Sequence, residues 1–139
     1  MNKILLDTDV ILDFFFDRNP FAEYASKVLT LCENKAISGF VTPVILSNIY
    51  YLLRKTANHE QVSAHLKMLM NILDIANVNK TIVLKALHSD FKDFEDALQN
   101  FAAENEKGIK IILTRNFKDY KTSKLSVMTP EHYLKTRLT

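Results

Sequence analysis

The sequence is poor in residues that build several common kinds of functional site. Its 139 residues include two glycines, one cysteine and no tryptophan. With Gly39 and Gly108 as the only glycines, neither a glycine-rich phosphate loop nor a dinucleotide-binding fingerprint exists. This excludes ATPases, GTPases and Rossmann oxidoreductases. The single cysteine, Cys32, excludes an internal disulfide framework and a cysteine-rich zinc site. It lies in the apolar register of a predicted helix, so we expect a small core residue.

The sequence shows neither the spacing of a zinc site nor an apolar segment that could span a membrane. No apolar run approaches the length that crosses a bilayer, and the N-terminus lacks the pattern of a signal peptide. We therefore expect a cytoplasmic protein without a membrane partner. The four histidines are scattered, without the spacing of zinc ligands: His59, His65, His88 and His132.

Length and composition predict a single domain over residues 1–139, because 47% of the residues are hydrophobic and 24% are charged. The net charge of +2 does not by itself indicate a nucleic-acid binder. Its distribution is more informative, since residues 107–139 carry eight Lys or Arg and two acidic residues. A basic flank beside acidic residues suits metal-dependent chemistry on a polyanion. The alternative is a solvated basic face.

Short apolar runs alternate with helical patterns along the whole chain. We expect Asp9 to cap the first helix, Asp93 to cap the sixth, and Gly108 to end the sixth. This alternation predicts an α/β protein with a parallel sheet covered by helices on both faces. The predicted strands cover residues 4–6, 37–41, 75–78, 109–113 and 127–128. The predicted helices cover residues 10–16, 21–34, 43–55, 60–73, 81–88, 94–107 and 130–138.

Candidate chemistry is concentrated in three acidic segments, residues 7–13, 93–96 and 114–119. Asp7 and Asn116 both follow apolar strands, so both should emerge at the carboxyl edge of the sheet, where open α/β sheets bind ligands. An aspartate that ends a buried strand is costly unless it is hydrogen-bonded or metal-bound. Asp7 is therefore the strongest single candidate.

The remaining acids of these segments have competing explanations. Asp93 and Asp96 share one face of the first turn of a helix, where ordinary capping explains acidic residues equally well. Asp9 is explained as a cap, Asp13 as an acid near the site, and Glu95 as a surface carboxylate. Aspartates without a covalent nucleophile or zinc ligands suggest hydrolysis by water activated by Mg²⁺ or Mn²⁺.

These residues resemble the PIN-domain nucleases, and the resemblance covers essentially the whole chain. Residues 7–13 look like the opening motif of the family, residues 96–98 like its third motif, and residues 114–120 like its fourth. Three such motifs in order form a fairly specific signal. The residues at the positions of the family's metal ligands are Asp7, Asp96 and Asp119.

The chain departs from the family pattern at the second motif, where Asn48 replaces the usual glutamate. Asparagine coordinates a metal weakly and brings no charge. The segment nevertheless resembles a PIN subgroup with Asn-Ile-Tyr-Tyr at this place. Our hypothesis is that Asp93 or Glu95 restores the missing carboxylate in such members.

The resemblance implies a three-layer α/β/α sandwich with a parallel sheet of about five strands, often dimeric. It also implies cleavage of single-stranded RNA that depends on Mg²⁺ or Mn²⁺. Many small bacterial members are toxins that a small antitoxin partner holds inactive. On this interpretation Asp7, Asp96 and either Asp119 or Asn116 form the metal cradle. The residues expected to guide phosphates are Arg115, Lys118 and Lys121.

Two other functions remain open from the sequence. The missing charge at Asn48 is compatible with a non-enzymatic, PIN-like binding module whose metal site is degraded. An apolar strand followed by Asp7-Thr-Asp9 is also compatible with a phosphatase of the haloacid dehalogenase type, in which Asp7 would be the nucleophile. Against the phosphatase stand the missing glycine after Asp9 and the shortness of the chain.

Overall fold

The computed structural model describes residues 2–137, which form five strands, seven α-helices and one short 3₁₀ helix. The strands are β1 (Lys3–Leu6), β2 (Ser38–Val41), β3 (Asp74–Ile75), β4 (Ile109–Leu113) and β5 (Ser126–Met128). The α-helices are α1 (Thr8–Phe15), α2 (Phe21–Glu33), α3 (Pro43–Leu53), α4 (His59–Ile72), α5 (Lys80–Leu87), α6 (Phe94–Asn105) and α7 (Pro130–Arg137). The 3₁₀ helix covers Phe117–Tyr120.

Every predicted strand and helix is present, and only the element ends differ. Helix α6 ends at Asn105, earlier than predicted, because Glu106 is already extended and Gly108 turns the chain with a φ of 93°. Helix α1 begins at Thr8, so its N-cap is Asp7 and the predicted cap Asp9 is wrong. The predicted last residue of the closing helix, 138, lies outside the described residues.

All five strands are parallel, in the order β3-β2-β1-β4-β5. Strand β1 is central and its residues Ile4, Leu5 and Leu6 are fully buried, as expected of a strand covered on both faces. The order of the strands reverses between β1 and β4. Open α/β sheets bind ligands at such a switch point, beyond the carboxyl ends of the strands.

Helices cover both faces of this sheet, as the sequence predicts. Right-handed crossovers place α1 to α4 on one face and α5 and α6 on the other. Helix α7 packs against α2 on the first face, and α6 packs against β4 on the second. The fold is therefore an α/β/α sandwich. None of the helices within residues 2–137 is long and apolar enough to span a membrane.

Close packing between β2 and its helices explains one of the two glycines. A Cβ on Gly39 would lie 2.6 Å from Cys32 Sγ and 2.6 Å from a methyl carbon of Leu73, closer than atoms can approach. Cys32 itself is buried and reduced, which confirms its prediction as a core residue.

Candidate functional site

Asp7 lies at the carboxyl edge of the sheet, at the switch point between β1 and β4. Its backbone N–H donates to the carbonyl oxygen of Leu113 at 3.0 Å, which holds it beside the end of β4. Its Oδ1 accepts the N–H of Thr8 at 2.8 Å, as an N-cap does. The side chain is nearly buried, and this burial raises the pKa of the Asp7 carboxyl above its ordinary value.

Asp9 attaches the start of α1 to the loop after β4. Its Oδ2 accepts the backbone N–H of Arg115 at 3.1 Å and the hydroxyl of Thr114 at 3.3 Å. Its Oδ1 is buried without a hydrogen-bond partner among the described residues. Burial, and then the nearby charge of Asp7, raise the pKa of Asp9 to about 6. Asp9 therefore connects the first turn of α1 to the loop that follows β4.

Asp13 is buried and paired with Arg115. The guanidinium of Arg115 donates from Nε at 2.7 Å and from Nη2 at 2.9 Å, the bidentate geometry that Arg favours with carboxylates. It also stacks 4.1 Å from the ring centroid of Phe21. Asp13 occupies the Nε and Nη2 edge of the guanidinium, which gives Arg115 a structural contact, and its role in guiding phosphates stays a prediction.

The start of α6 brings further carboxylates to Asp7. Asp93 caps the helix, as predicted, by accepting the backbone N–H of Asp96 at 3.0 Å. Burial raises the pKa of Asp96 to about 7, assisted by the negative charges of Asp7, Asp93, Asp119 and Glu95 in decreasing order. The other four carboxylates therefore lie within electrostatic range of Asp96. We refer to these five residues as the acidic cluster.

Tyr120 contacts two carboxylates of this cluster, although the sequence predicts it only as part of the fourth motif and not as a site residue. It is 1% exposed, and its hydroxyl lies 3.1 Å from Asp7 Oδ2, to which it donates, and 3.5 Å from Asp96 Oδ1. Burial and the adjacent Asp7 raise the pKa of the phenol, so it stays a neutral donor. The aromatic residue directly after Asp119 was the available signal.

Within residues 2–137, no Lys or Arg forms an ion pair with a carboxylate of the acidic cluster. The ion pairs of the described residues lie elsewhere, including those that neutralise Asp13. The same residues contain no group of three His, Cys, Asp or Glu side chains that could hold a metal ion as they stand. The carboxylates therefore face one another without a cation and without yet converging on one point.

Asn48 on α3 contacts one carboxylate of the acidic cluster. It lies half-buried on α3, and its Nδ2 donates a hydrogen bond to Oε1 of Glu95 on α6. The position predicted from the second motif is therefore part of this site. Its contact is with another protein side chain.

The remaining predicted site residues line two different cavities. Asn116 is exposed and lines a cavity of about 190 Å³ with Asp13 and Arg115, and its backbone N–H donates to Thr114 Oγ1 at 3.1 Å. No contact of its side chain with the acidic cluster is present in the described residues. A second cavity, of about 260 Å³, adjoins the cluster. Its lining includes Asp93, Asp119, Lys92, Lys118 and Lys121.

The parallel sheet and the acidic cluster at its switch point define a carboxylate-rich α/β domain. A family model described as PIN domain matches residues 3–118. The chain belongs to the PIN domain family, as its motifs indicate.

Relatives cover nearly the whole chain. Ribonuclease VapC1 of Aquifex aeolicus (strain VF5) is 30% identical over an alignment of 136 positions, which covers 94% of this chain and 92% of that protein. A toxin-antitoxin complex from Klebsiella pneumoniae contains a chain with a TM-score of 0.68 and 20% identity, covering 91% of this chain and 97% of that one. VapC20 of Mycobacterium tuberculosis, described as a Sarcin-Ricin loop cleaving toxin, has a TM-score of 0.62 and 19% identity, covering 83% and 92%. The two structures show the same fold.

Proposed function

We propose that this chain is a metal-dependent endoribonuclease that cleaves single-stranded RNA and is the toxin of a toxin–antitoxin pair. The observation that supports the proposal is the acidic cluster, whose carboxylates come from three separate elements and form no ion pair with a Lys or Arg of the described residues. The 30% identity to a protein named a ribonuclease supports the same activity. The PIN family supports it over the phosphatase alternative.

The donor set fits Mg²⁺ or Mn²⁺, because hard divalent cations prefer carboxylate oxygens. The residues that would hold such an ion are Asp7, Asp96 and Asp119. Asp119 is exposed on the 3₁₀ helix and has no hydrogen bond through its side chain among the described residues that would have to break for it to bind an ion. When bound, the ion would supply a water of lowered pKa and neutralise charge on the scissile phosphate.

Residues of the chain itself orient the carboxylates and the substrate. Tyr120 donates to Asp7, and the N–H of Thr8 fixes the other oxygen of that carboxylate, so Asp7 has one orientation before any ligand arrives. Lys118 and Lys121 are exposed beside the cavity of about 260 Å³, where they would contact the phosphates that flank the cleaved bond.

The test is cleavage of a fluorescent single-stranded RNA by the purified full chain, with Mn²⁺ or with EDTA. We expect cleavage only with the metal, and its loss in Asp7→Asn, since asparagine keeps the helix cap but removes the charge. The matched control is Asp74→Asn, because exposed Asp74 also accepts the N–H of the next residue at 2.8 Å. Cleavage that persists in Asp7→Asn would contradict the proposal.

The proposed toxin role also implies a protein partner, the antitoxin, and it is tested separately from RNA cleavage. Solved chains of this fold come from complexes described as toxin–antitoxin pairs, such as the complex from Klebsiella pneumoniae. We expect that expression of the parent chain alone arrests bacterial growth and that Asp7→Asn does not. Growth arrest by both proteins would contradict a toxic effect through RNA cleavage. The homodimer and the cytoplasmic location stay predictions, which sedimentation and cell fractionation would test.

Metal affinity distinguishes the proposed nuclease from the alternative of a non-enzymatic binding module. A degraded site would not bind Mn²⁺ at millimolar concentration, whereas the proposed nuclease does. Titration calorimetry of the parent chain with Mn²⁺ therefore distinguishes the two, before any RNA is used.

A further inference from the structure

The contact between Asn48 and Glu95 joins two helices at the rim of the acidic cluster. Asn48 lies in the middle of α3, which follows β2, and Glu95 lies in the first turn of α6. The amide Nδ2 donates and the carboxylate Oε1 accepts, across 47 positions of sequence. The structure therefore brings the neutral residue of the second motif directly against a carboxylate from another element.

Glu95 is exposed, which agrees with its explanation as a surface carboxylate, and it is also part of the acidic cluster. Glu95 is the neighbour of Asp96 in the first turn of α6, and the amide of Asn48 contacts its carboxylate. Burial raises the pKa of Glu95, and the charges of Asp93 and then Asp7 raise it further. Glu95 in turn contributes to the raised pKa of Asp96. Asp93 caps α6 through its Oδ1, which accepts the N–H of Asp96, and it has no contact with Asn48 among the described residues.

The chemistry of position 48 complements a carboxylate at position 95. A glutamate at position 48 would place a second negative charge beside Glu95, which is unfavourable without a cation. An asparagine provides an N–H donor there, which holds one carboxylate oxygen and leaves the other available. The number of negative charges around the site is thereby kept, although the charge is carried by a different helix.

We propose that Glu95 supplies to the metal centre the carboxylate that position 48 lacks, and that Asn48 is the positioning residue that orients it. The proposal rests on the metal-dependent function proposed above. It assigns Glu95 a role toward the metal and Asn48 a role only through Glu95.

The test is titration calorimetry of the metal-free full chain with Mn²⁺ alone. Glu95→Gln removes the charge and keeps the shape, and we expect it to weaken Mn²⁺ binding about tenfold or more. The matched control is Glu104→Gln, since Glu104 lies on the same helix and also accepts a hydrogen bond from an asparagine, Asn100, at 2.6 Å. Glu104 does not contribute to the raised pKa values of the cluster, so its variant should bind Mn²⁺ like the parent.

A double-mutant cycle tests the role of Asn48. Asn48→Ala should weaken Mn²⁺ binding by about threefold to tenfold in the parent. In the Glu95→Gln background it should have almost no further effect, because the residue it orients has lost its charge. Glu95 is exposed and Asn48 is only half-buried, so the variants should fold, and circular dichroism checks this.

The possible results separate the inference from the proposed function. If the parent binds Mn²⁺ and Glu95→Gln binds it equally well, the inference is overturned while the metal-dependent function stands. If the effect of Asn48→Ala is the same in both backgrounds, Asn48 does not act through Glu95 and the positioning role is overturned. If the parent itself binds no Mn²⁺, the proposed function fails and the inference fails with it.

Discussion

A structural role of Arg115 can be distinguished by experiment from a role in binding RNA. Sequence reasoning places it among the residues that guide phosphates. The structure instead pairs its guanidinium with Asp13 through two hydrogen bonds of 2.7 and 2.9 Å. We predict that Arg115→Ala lowers the stability of the protein and has little effect on RNA affinity at temperatures where the variant is folded.

The magnitude follows from the burial of the pair. The side chain of Asp13 is 2% exposed, and loss of one partner from a buried ion pair costs about 3–5 kcal/mol. The lower figure applies here, because the Arg115 side chain is 28% exposed and Arg18 lies 3.6 Å from the same carboxylate. With an unfolding entropy of about 2.1 cal/mol/K per residue, a loss of about 3 kcal/mol lowers Tm by about 10 °C for a chain of this length.

Thermal unfolding followed by circular dichroism measures this change, and fluorescence anisotropy with a non-cleaved RNA measures affinity. Lys118→Ala is the reciprocal control, since Lys118 is exposed and forms no ion pair among the described residues. It should leave Tm unchanged and weaken RNA binding. If Arg115→Ala melts within about 2 °C of the parent and binds RNA more weakly, the structural assignment is refuted.

Two further predictions concern residues around the acidic cluster. Tyr120→Phe keeps the ring but removes the hydroxyl that donates to Asp7, so we expect Mn²⁺ affinity to fall about tenfold by calorimetry. Unchanged affinity would show that Tyr120 is only a core residue. In Lys118→Ala with Lys121→Ala, the slope of log K against log salt for single-stranded RNA should decrease by about 0.7 per lysine. An unchanged slope would show that these lysines do not contact phosphate.

The order of strands and helices is predictable from the sequence because each element carries its own local pattern. The buried run Ile4 to Leu6 marks β1, and Thr42 and Asp93 are recognisable caps of α3 and α6. The boundaries are less predictable, since they depend on contacts outside the element. Helix α1 begins at Thr8 directly after β1, so the capping role moves from Asp9 to Asp7.

The candidate site also has features that the sequence predicts and features that it does not. That Asp7 and the loop after β4 meet is predictable, because the carboxyl ends of parallel strands lie at one edge. The partners of individual side chains were not predictable. Asp13 is paired with Arg115, and no pattern in the sequence indicates that contact. Tyr120 contacts Asp7, and the sequence offers only the aromatic residue after Asp119 as a signal for it.

The sequence by itself determined the fold class and the positions of the acidic residues, because strand and helix periodicity and chain punctuation are local properties. Only the tertiary structure decided which acids remain without a cation and which are neutralised. Asp13 receives an arginine from 102 positions away, Asp7 receives a phenol from 113 positions away, and Glu95 receives an amide from α3. Such pairings depend on how elements that are far apart in the sequence pack together, and local sequence patterns do not specify that packing.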